Sequence, residues 1–163
     1  ALTHAMIEAA ERIPYIEAQY MTAQFVREAL VRSLSRPSGP EVLVVMTHAS
    51  HGLLERLVMG ANRDRLIRRL RRADRHGRLG IYYPVVPSGA GLCQVVIHSK
   101  VMIVDDRFFR AGSSNLNNRS VGLDTECDLV IDAHAPQARR SVARRRDDLI
   151  AEHLGVDAAT FAT

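Results

Sequence analysis

Lysine is almost missing from this chain: 21 arginines stand beside a single lysine, Lys100, in 163 residues. Tryptophan is absent and aromatics make up only 5% of the residues, so the core must be aliphatic and a base-stacking platform has little to draw on. Two cysteines, Cys93 and Cys127, are too few for a disulfide framework or a cysteine zinc cluster, and are expected as small, buried or half-buried hydrophobes. No apolar run here is long enough to span a bilayer. That leaves the compartment open, with a cytoplasmic or membrane-associated place expected.

What is present describes an ordinary globular protein. Hydrophobic residues at 47% and charged residues at 25% argue against disorder, and the length suits one domain over residues 1–163. A net charge of +4 favours an anionic partner: a phosphate ester, a nucleic acid or a lipid headgroup. Against that background the lone lysine stands out. A composition that uses arginine everywhere else has kept a compact ammonium at one position, where a planar guanidinium would have a different shape and donor geometry. Lys100 is therefore a candidate catalytic residue.

Apolar periodicity and Pro/Gly punctuation divide the chain into alternating elements. Thr3 is expected to cap a short helix carrying Met6, Ile7 and Ala10, followed by a strand at Tyr15–Tyr20 and a helix through Phe25, Val26, Ala29 and Leu30. Further strands are expected at Glu41–Met46, Gly80–Val85, Gln94–Val104, Phe108–Gly112 and Asp128–Asp132, with a loop at Pro87–Gly91. Helices are expected over Leu53–Arg75 and Pro136–His153. This alternation predicts an α/β fold: a mostly parallel mixed sheet sandwiched by helices.

The chemistry gathers around the lysine. His98 and Lys100 share a strand face if the strand is continuous, as do Ser113 and Asn115. A two-residue turn at Asp105-Asp106 would set His98 opposite Ser113 and Lys100 opposite Ala111. An imidazole, an ammonium, a hydroxyl and an amide at one sheet end suit displacement at phosphorus. Lysine supplies fixed charge, serine and asparagine supply donors, and histidine attacks phosphorus or protonates the leaving alcohol. A histidine in either role needs its second ring nitrogen held, and Glu126 is the favoured orienter, ahead of Asp124 and Asp128. Gly112 would let an oxyanion approach the backbone. Asp105, at the turn, is expected to bond backbone and fix the geometry of this catalytic set. Glu17 and Gln19 share a face and are candidate substrate-binding residues, although a solvated strand edge would look the same.

At these residues the chain closely resembles the phospholipase D superfamily. Its HxKxxxxD signature is matched by His98, Lys100 and Asp105, and its GSxN by Gly112, Ser113 and Asn115. The similarity extends to Asn117, Asn118, Arg119, Ser120 and Glu126, and upstream to Tyr15-Ile16-Glu17-Ala18-Gln19-Tyr20, where Ala18 replaces the usual asparagine. The resemblance implies one lobe of a phospholipase D-like catalytic domain, a metal-independent phosphodiesterase working through a phosphohistidine without a cofactor. In such enzymes two motifs meet across a pseudo-twofold axis. This chain holds one, so the other is expected from an N-terminal half of a longer chain, or from a homodimer partner. The first histidine of two-motif members often attacks, which would make His98 the proton donor; nucleophile and acid both stay open.

The leading expectation is thus hydrolysis or transesterification of a phospholipid headgroup ester, with contact to a membrane surface. The alternatives are a single-motif homodimeric endonuclease, the one case in which nucleic acid is a partner, and a non-catalytic binding module. His48 and His51 lack a third ligand nearby and read as loop histidines, and no metal site is expected. Arg63, Arg65, Arg68, Arg69, Arg71, Arg72 and Arg75 form a charged helical arc opposite Leu66, Ile67 and Leu70.

Overall fold

The computed structural model describes residues 2–48, 61–89 and 91–161. Helix α1 (Leu2–Glu8) leads to β1 (Pro14–Ala18), α2 (Gln24–Ser35), β2 (Val42–Met46), α3 (Ala61–Ala73) and β3 (Leu79–Tyr82). After these come β4 (Val85–Ser88), β5 (Gly91–Gln94), β6 (Lys100–Val104), β7 (Phe108–Gly112), α4 (Asn118–Gly122), β8 (Asp128–Asp132) and α5 (Pro136–Leu154). The main sheet has the order β3-β2-β1-β6-β7-β8, while β4 and β5 form a separate hairpin. Strands β1, β2 and β3 run parallel, β6 enters antiparallel to β1, and β7 and β8 each reverse again. Four of the six strands therefore point one way, in a mixed α/β sheet with helices on both faces.

Central strands are apolar on both sides because both sides are covered. Ile16, Val44, Met46, Met102 and Val104 pack with Met6, Val26, Leu30, Leu34, Leu66 and Leu70 of α1, α2 and α3. Tyr15, Val45 and Ile103 point the other way, toward Val142, Leu149 and Ile150 of α5. The arginine arc of α3 behaves as its spacing predicts, with Leu66, Ile67 and Leu70 buried and Arg65, Arg68, Arg69, Arg71 and Arg72 exposed. Residues 53–60 of the helix expected there, and His51, lie outside the described residues. Thr3 sits inside α1, buried, instead of capping it, and both cysteines are exposed.

Three local expectations are corrected. The strand expected over Gln94–Val104 divides after Gln94 and resumes only at Lys100. The Thr47 hydroxyl takes the place of a ladder partner for Ile97, accepting from its N–H at 2.9 Å and donating to its carbonyl at 3.1 Å. The expected loop at Pro87–Gly91 is a hairpin, in which Pro87 pairs with Leu92 and Ser88 with Gly91. Finally, the β6–β7 register is shifted by one residue from expectation: Val101 faces Ala111 and Val104 faces Phe108. Asp105 and Asp106 do form the turn, both at positive φ, but Arg107 is an extra residue beyond it. Arg107 is drawn aside because its carbonyl accepts from Ala133 N–H and its guanidinium binds Asp132. Continued one step, the register puts Lys100 across from the end of β7 at Gly112, and not across from Ala111 as expected.

The turn is fixed by Asp105. Its carboxylate accepts from the backbone N–H groups of Glu11 at 2.6 Å, Arg12 at 2.9 Å and Ile13 at 2.8 Å, while its own N–H donates to the Ile13 carbonyl at 3.1 Å. Asp106 adds ion pairs to Arg12 and Arg146. Hydrogen bonds to a charged acceptor contribute roughly 1.5–3 kcal/mol each, less what water restores. Asp105→Ala should thus lose about 3 kcal/mol of stability in urea denaturation. Asp105→Asn, which still tolerates positive φ and keeps one acceptor oxygen, should lose less. Equal midpoints for all three proteins would remove the turn from its structural role.

Candidate active site

The edge of the sheet where β1 and β2 end, β6 begins and β7 ends is where open α/β sheets bind ligands. Lys100 opens β6 there, only 7% exposed. Its Nζ donates to the His98 carbonyl at 2.8 Å and lies 3.3 Å from His98 Nε2. Burial draws the Lys100 ammonium below its ordinary pKa, and the negative charge of Glu126 offsets only part of that fall. His98 is exposed at the rim, one residue beyond the clamped Ile97.

Side-chain alternation along β1 and β6 divides the remaining candidates between the two faces. Lys100 has the parity of Met102 and Val104, hence the α2/α3 face; there a cavity of about 690 Å³ is lined by Asn115, Glu126 and Arg27 among others. Asn115 Oδ1 is buried without a hydrogen-bond partner among the described residues. Glu17 has the parity of Tyr15 and faces α5, in a cavity of about 530 Å³ shared with His98, Ser99 and His153. No hydrogen bond joins His98 to Glu126, so within this one chain the proposed orienter acts on the lysine. Asp124 instead pairs with Arg119 at 2.8 Å, and Asp128 with Arg110.

Glu17 is 4% exposed and held by three partners. Tyr15 Oη and Ser99 Oγ each donate to it at 2.5 Å, and His153 Nε2 lies at 3.0 Å. Burial first, then the hydrogen bond to Glu17 and the charges of Glu17 and Glu152, push the Tyr15 phenol above its ordinary pKa, keeping it a donor. Alternation along β1 could have paired Tyr15 with Glu17. His153, 136 residues away, had no local signal. Gln19 is half-buried just past β1.

The GSxN segment is locked from beneath. Arg110, 3% exposed, donates to Asp128 at 2.7 Å and to the Ser114 carbonyl at 3.1 Å. Ser113 Oγ accepts from Cys127 N–H at 2.9 Å. A Cβ at Gly112 would collide with the Asp128 carboxylate and the Cys127 carbonyl, so sheet packing alone requires glycine there. Leu116 O accepts from Thr22 and Ala23, Asn117 caps α4 through Ser120 N–H at 2.7 Å, and Asn118 Oδ1 accepts from Gln24 N–H at 3.3 Å. These bonds tie the segment to the start of α2. Among the described residues no cluster of three or more His, Cys, Asp or Glu could hold a metal ion. His48 contacts Gln94 at 3.0 Å and Tyr83 edge-on.

Residues 3–145 match the family described as cardiolipin synthase, PLD-like domain. The chain belongs to this phospholipase D-like family, whose members are phosphodiesterases or transferases. It is 40% identical over 87 residues to a phospholipase D of Phytophthora infestans, covering 45% of this chain and 5% of that protein. To phospholipase D alpha 1 of Nicotiana tabacum it is 35% identical over 74 residues, 41% of this chain and 9% of the relative. The matched stretch is thus a small part of either relative's length. The fold is shared with the phospholipase D family member Nuc from Salmonella typhimurium, with a TM-score of 0.58 at 20% identity over 90% of this chain and 83% of that one. It is shared too with phosphatidylserine synthase from Haemophilus influenzae, with a TM-score of 0.65 at 16% identity over 92% of this chain and 34% of that one.

Asp128 gives the segment an acid-sensitive support. Burial would raise its carboxyl, but hydrogen bonds from Ser114 and Arg110 and the Arg110 charge hold it below the ordinary carboxylate range. Folded Asp128 therefore binds its proton more weakly than the unfolded chain does. Its contribution is present above about pH 4 and lost as pH falls through the native pKa. Thermal midpoints from about pH 6 down to pH 2.5 should fall more steeply for the parent than for Asp128→Asn. Parallel slopes would contradict that role.

Proposed function

We propose that this chain supplies one of two catalytic motifs of a phospholipase D-type phosphodiesterase or phosphatidyltransferase acting on phospholipid headgroup esters. The observation that carries the reading is the buried Lys100 ammonium, held against His98 at the ligand-binding edge of the sheet. Nothing else among the described residues offers that pairing of a lone compact cation with an exposed imidazole. Lys100 and Asn115 act on the equatorial phosphate oxygens, neutralising charge that builds as the bond to the leaving oxygen breaks. Asp105 acts through the turn it fixes, and Ser113 through the Cys127 backbone it binds.

Two imidazoles share the reaction. A nitrogen of one forms a bond to phosphorus as the bond from phosphorus to the headgroup oxygen breaks, and the other gives its proton to that oxygen. In the second half, water or an alcohol loses its proton to the same acid–base histidine and attacks phosphorus, and the phosphorus–nitrogen bond breaks. His98 fills one of these two roles. The second histidine comes from another motif, whether in a longer chain or in a partner copy.

A second reading, a homodimeric single-motif endonuclease, is favoured by how much of each chain overlaps in the match to Nuc. Sedimentation of this chain, with DNA cleavage assayed in chelator, tests it: a monomer without nuclease activity removes it. For the leading reading, His98→Ala should lower turnover of a phosphatidyl substrate by about 10³-fold or more. Lys100→Arg, folded and with its charge intact, should lose about 10²–10³-fold because the guanidinium's donors point elsewhere. Parental rates in both variants would overturn the assignment.

A further inference from the structure

Arginines that pack into the body of this protein are matched to oxygens. Arg110 meets Asp128 and Ser114, Arg146 meets Asp106 and Asp147, Arg63 meets Asp64 and the His48 carbonyl, and Arg78, whose Nε and Nη1 are sealed without a partner, still gives its Nη2 to the Leu34 and Arg36 carbonyls. Arg27 is different. It is half-buried on α2, its guanidinium has no hydrogen bond or ion pair among the described residues, and its Nε is sealed from solvent. A charged donor left in that state is costly unless an acceptor arrives from outside the chain.

The acceptor's place is the cavity on the Lys100 face of the sheet. Arg27, Arg65 and Arg119 line it with Asp124 and Glu126. Arg119 and Asp124 neutralise each other at 2.8 Å, and the charge of Glu126 is directed at Lys100. What remains uncompensated among the described residues is Arg27 with Arg65, the latter exposed on the arc of α3. Asn115, the amide of the candidate catalytic set, lines the same cavity. The two guanidiniums thus share a cavity with Asn115, and they carry the forked donor geometry that suits phosphate oxygens.

We propose that Arg27 and Arg65 form a subsite for a second phosphate, carried by the same lipid molecule whose phosphodiester reacts at His98 and Lys100. This rests on the reading given under Proposed function and adds a substrate class: glycerophospholipids bearing a phosphate beyond the scissile one. Lipid is favoured over polynucleotide by the other side of His98. The cavity there is lined by Val85, Val86 and Val96, 44%, 48% and 44% exposed, an aliphatic approach suited to acyl chains.

Binding can be separated from catalysis by titrating inorganic phosphate calorimetrically into the parent chain, Arg27→Leu, Lys100→Met and the double variant, with thermal midpoints to confirm folding. Two phosphates should bind the parent, one to each single variant and none to the double. Loss of one phosphate on Lys100→Met with none lost on Arg27→Leu overturns the subsite and leaves the catalytic reading standing. The reverse pattern keeps the subsite and removes the reading at Lys100.

Enzyme in which both motifs are assembled then decides the substrate, using vesicles of phosphatidylinositol or of phosphatidylinositol 4-phosphate in a neutral lipid carrier. The ratio of kcat/KM for the phosphorylated over the plain lipid should fall about 10-fold or more in Arg27→Leu, with Arg27→Lys restoring part of it. An unchanged ratio overturns the proposal, as does a variant whose only defect is weaker, salt-dependent binding of single-stranded DNA.

Discussion

One carboxylate, that of Asp105, accepts three backbone N–H groups from the segment that enters β1, and the placement of the candidate site follows from it. The anion sits at the opposite end of β6 from Lys100, so it touches nothing that reacts. What it controls is phase. It pins the β6–β7 turn to the entry of β1, and the pairing of β1 with β6 carries that alignment along the strands to Ala18 opposite Lys100. A slip of one residue would turn Lys100 to the other face of the sheet, because side chains alternate with a period of two.

Phase matters because the site is built across both faces. Lys100, Asn115, Glu126 and Arg27 belong to the α2/α3 side, whereas Glu17, Ser99 and His153 belong to the α5 side. His98 stands at the rim between them, where the strand is interrupted. The interruption is what allows it: once Thr47 has satisfied the backbone of Ile97, the residues before Lys100 are released from the ladder. Glu17 is then tied to the motif through Ser99, and to α5 through His153. The same principle holds under the GSxN segment, where a part-buried ion pair between neighbouring strands takes the Ser114 carbonyl as an extra acceptor.

Much of this was legible in the sequence where the controlling interactions are local. Strands β7 and β8 have the boundaries expected from their apolar runs and flanking polar residues, and α5 differs by one residue at its end. The motif residues were legible too, being dense and closely spaced. What escaped was set by distant partners. Thr47 breaks a strand 50 residues away, and Arg107 is pulled out of a two-residue turn by β8. Pro87 and the neighbouring glycines signalled a loop, yet a two-stranded ribbon standing apart from the sheet tolerates proline where a central strand would not. Arg27 was anonymous among many arginines, and only the absence of a partner distinguishes it.

The lone lysine has one more consequence, for how the site can be watched. A chain with one ε-ammonium, buried beside His98, carries a built-in reporter: lysine-selective isotope labelling gives a single side-chain resonance that needs no assignment. Its shift with pH tracks the balance between burial and Glu126 directly, and its perturbation by a phosphate ester registers occupancy of this half of the site without turnover.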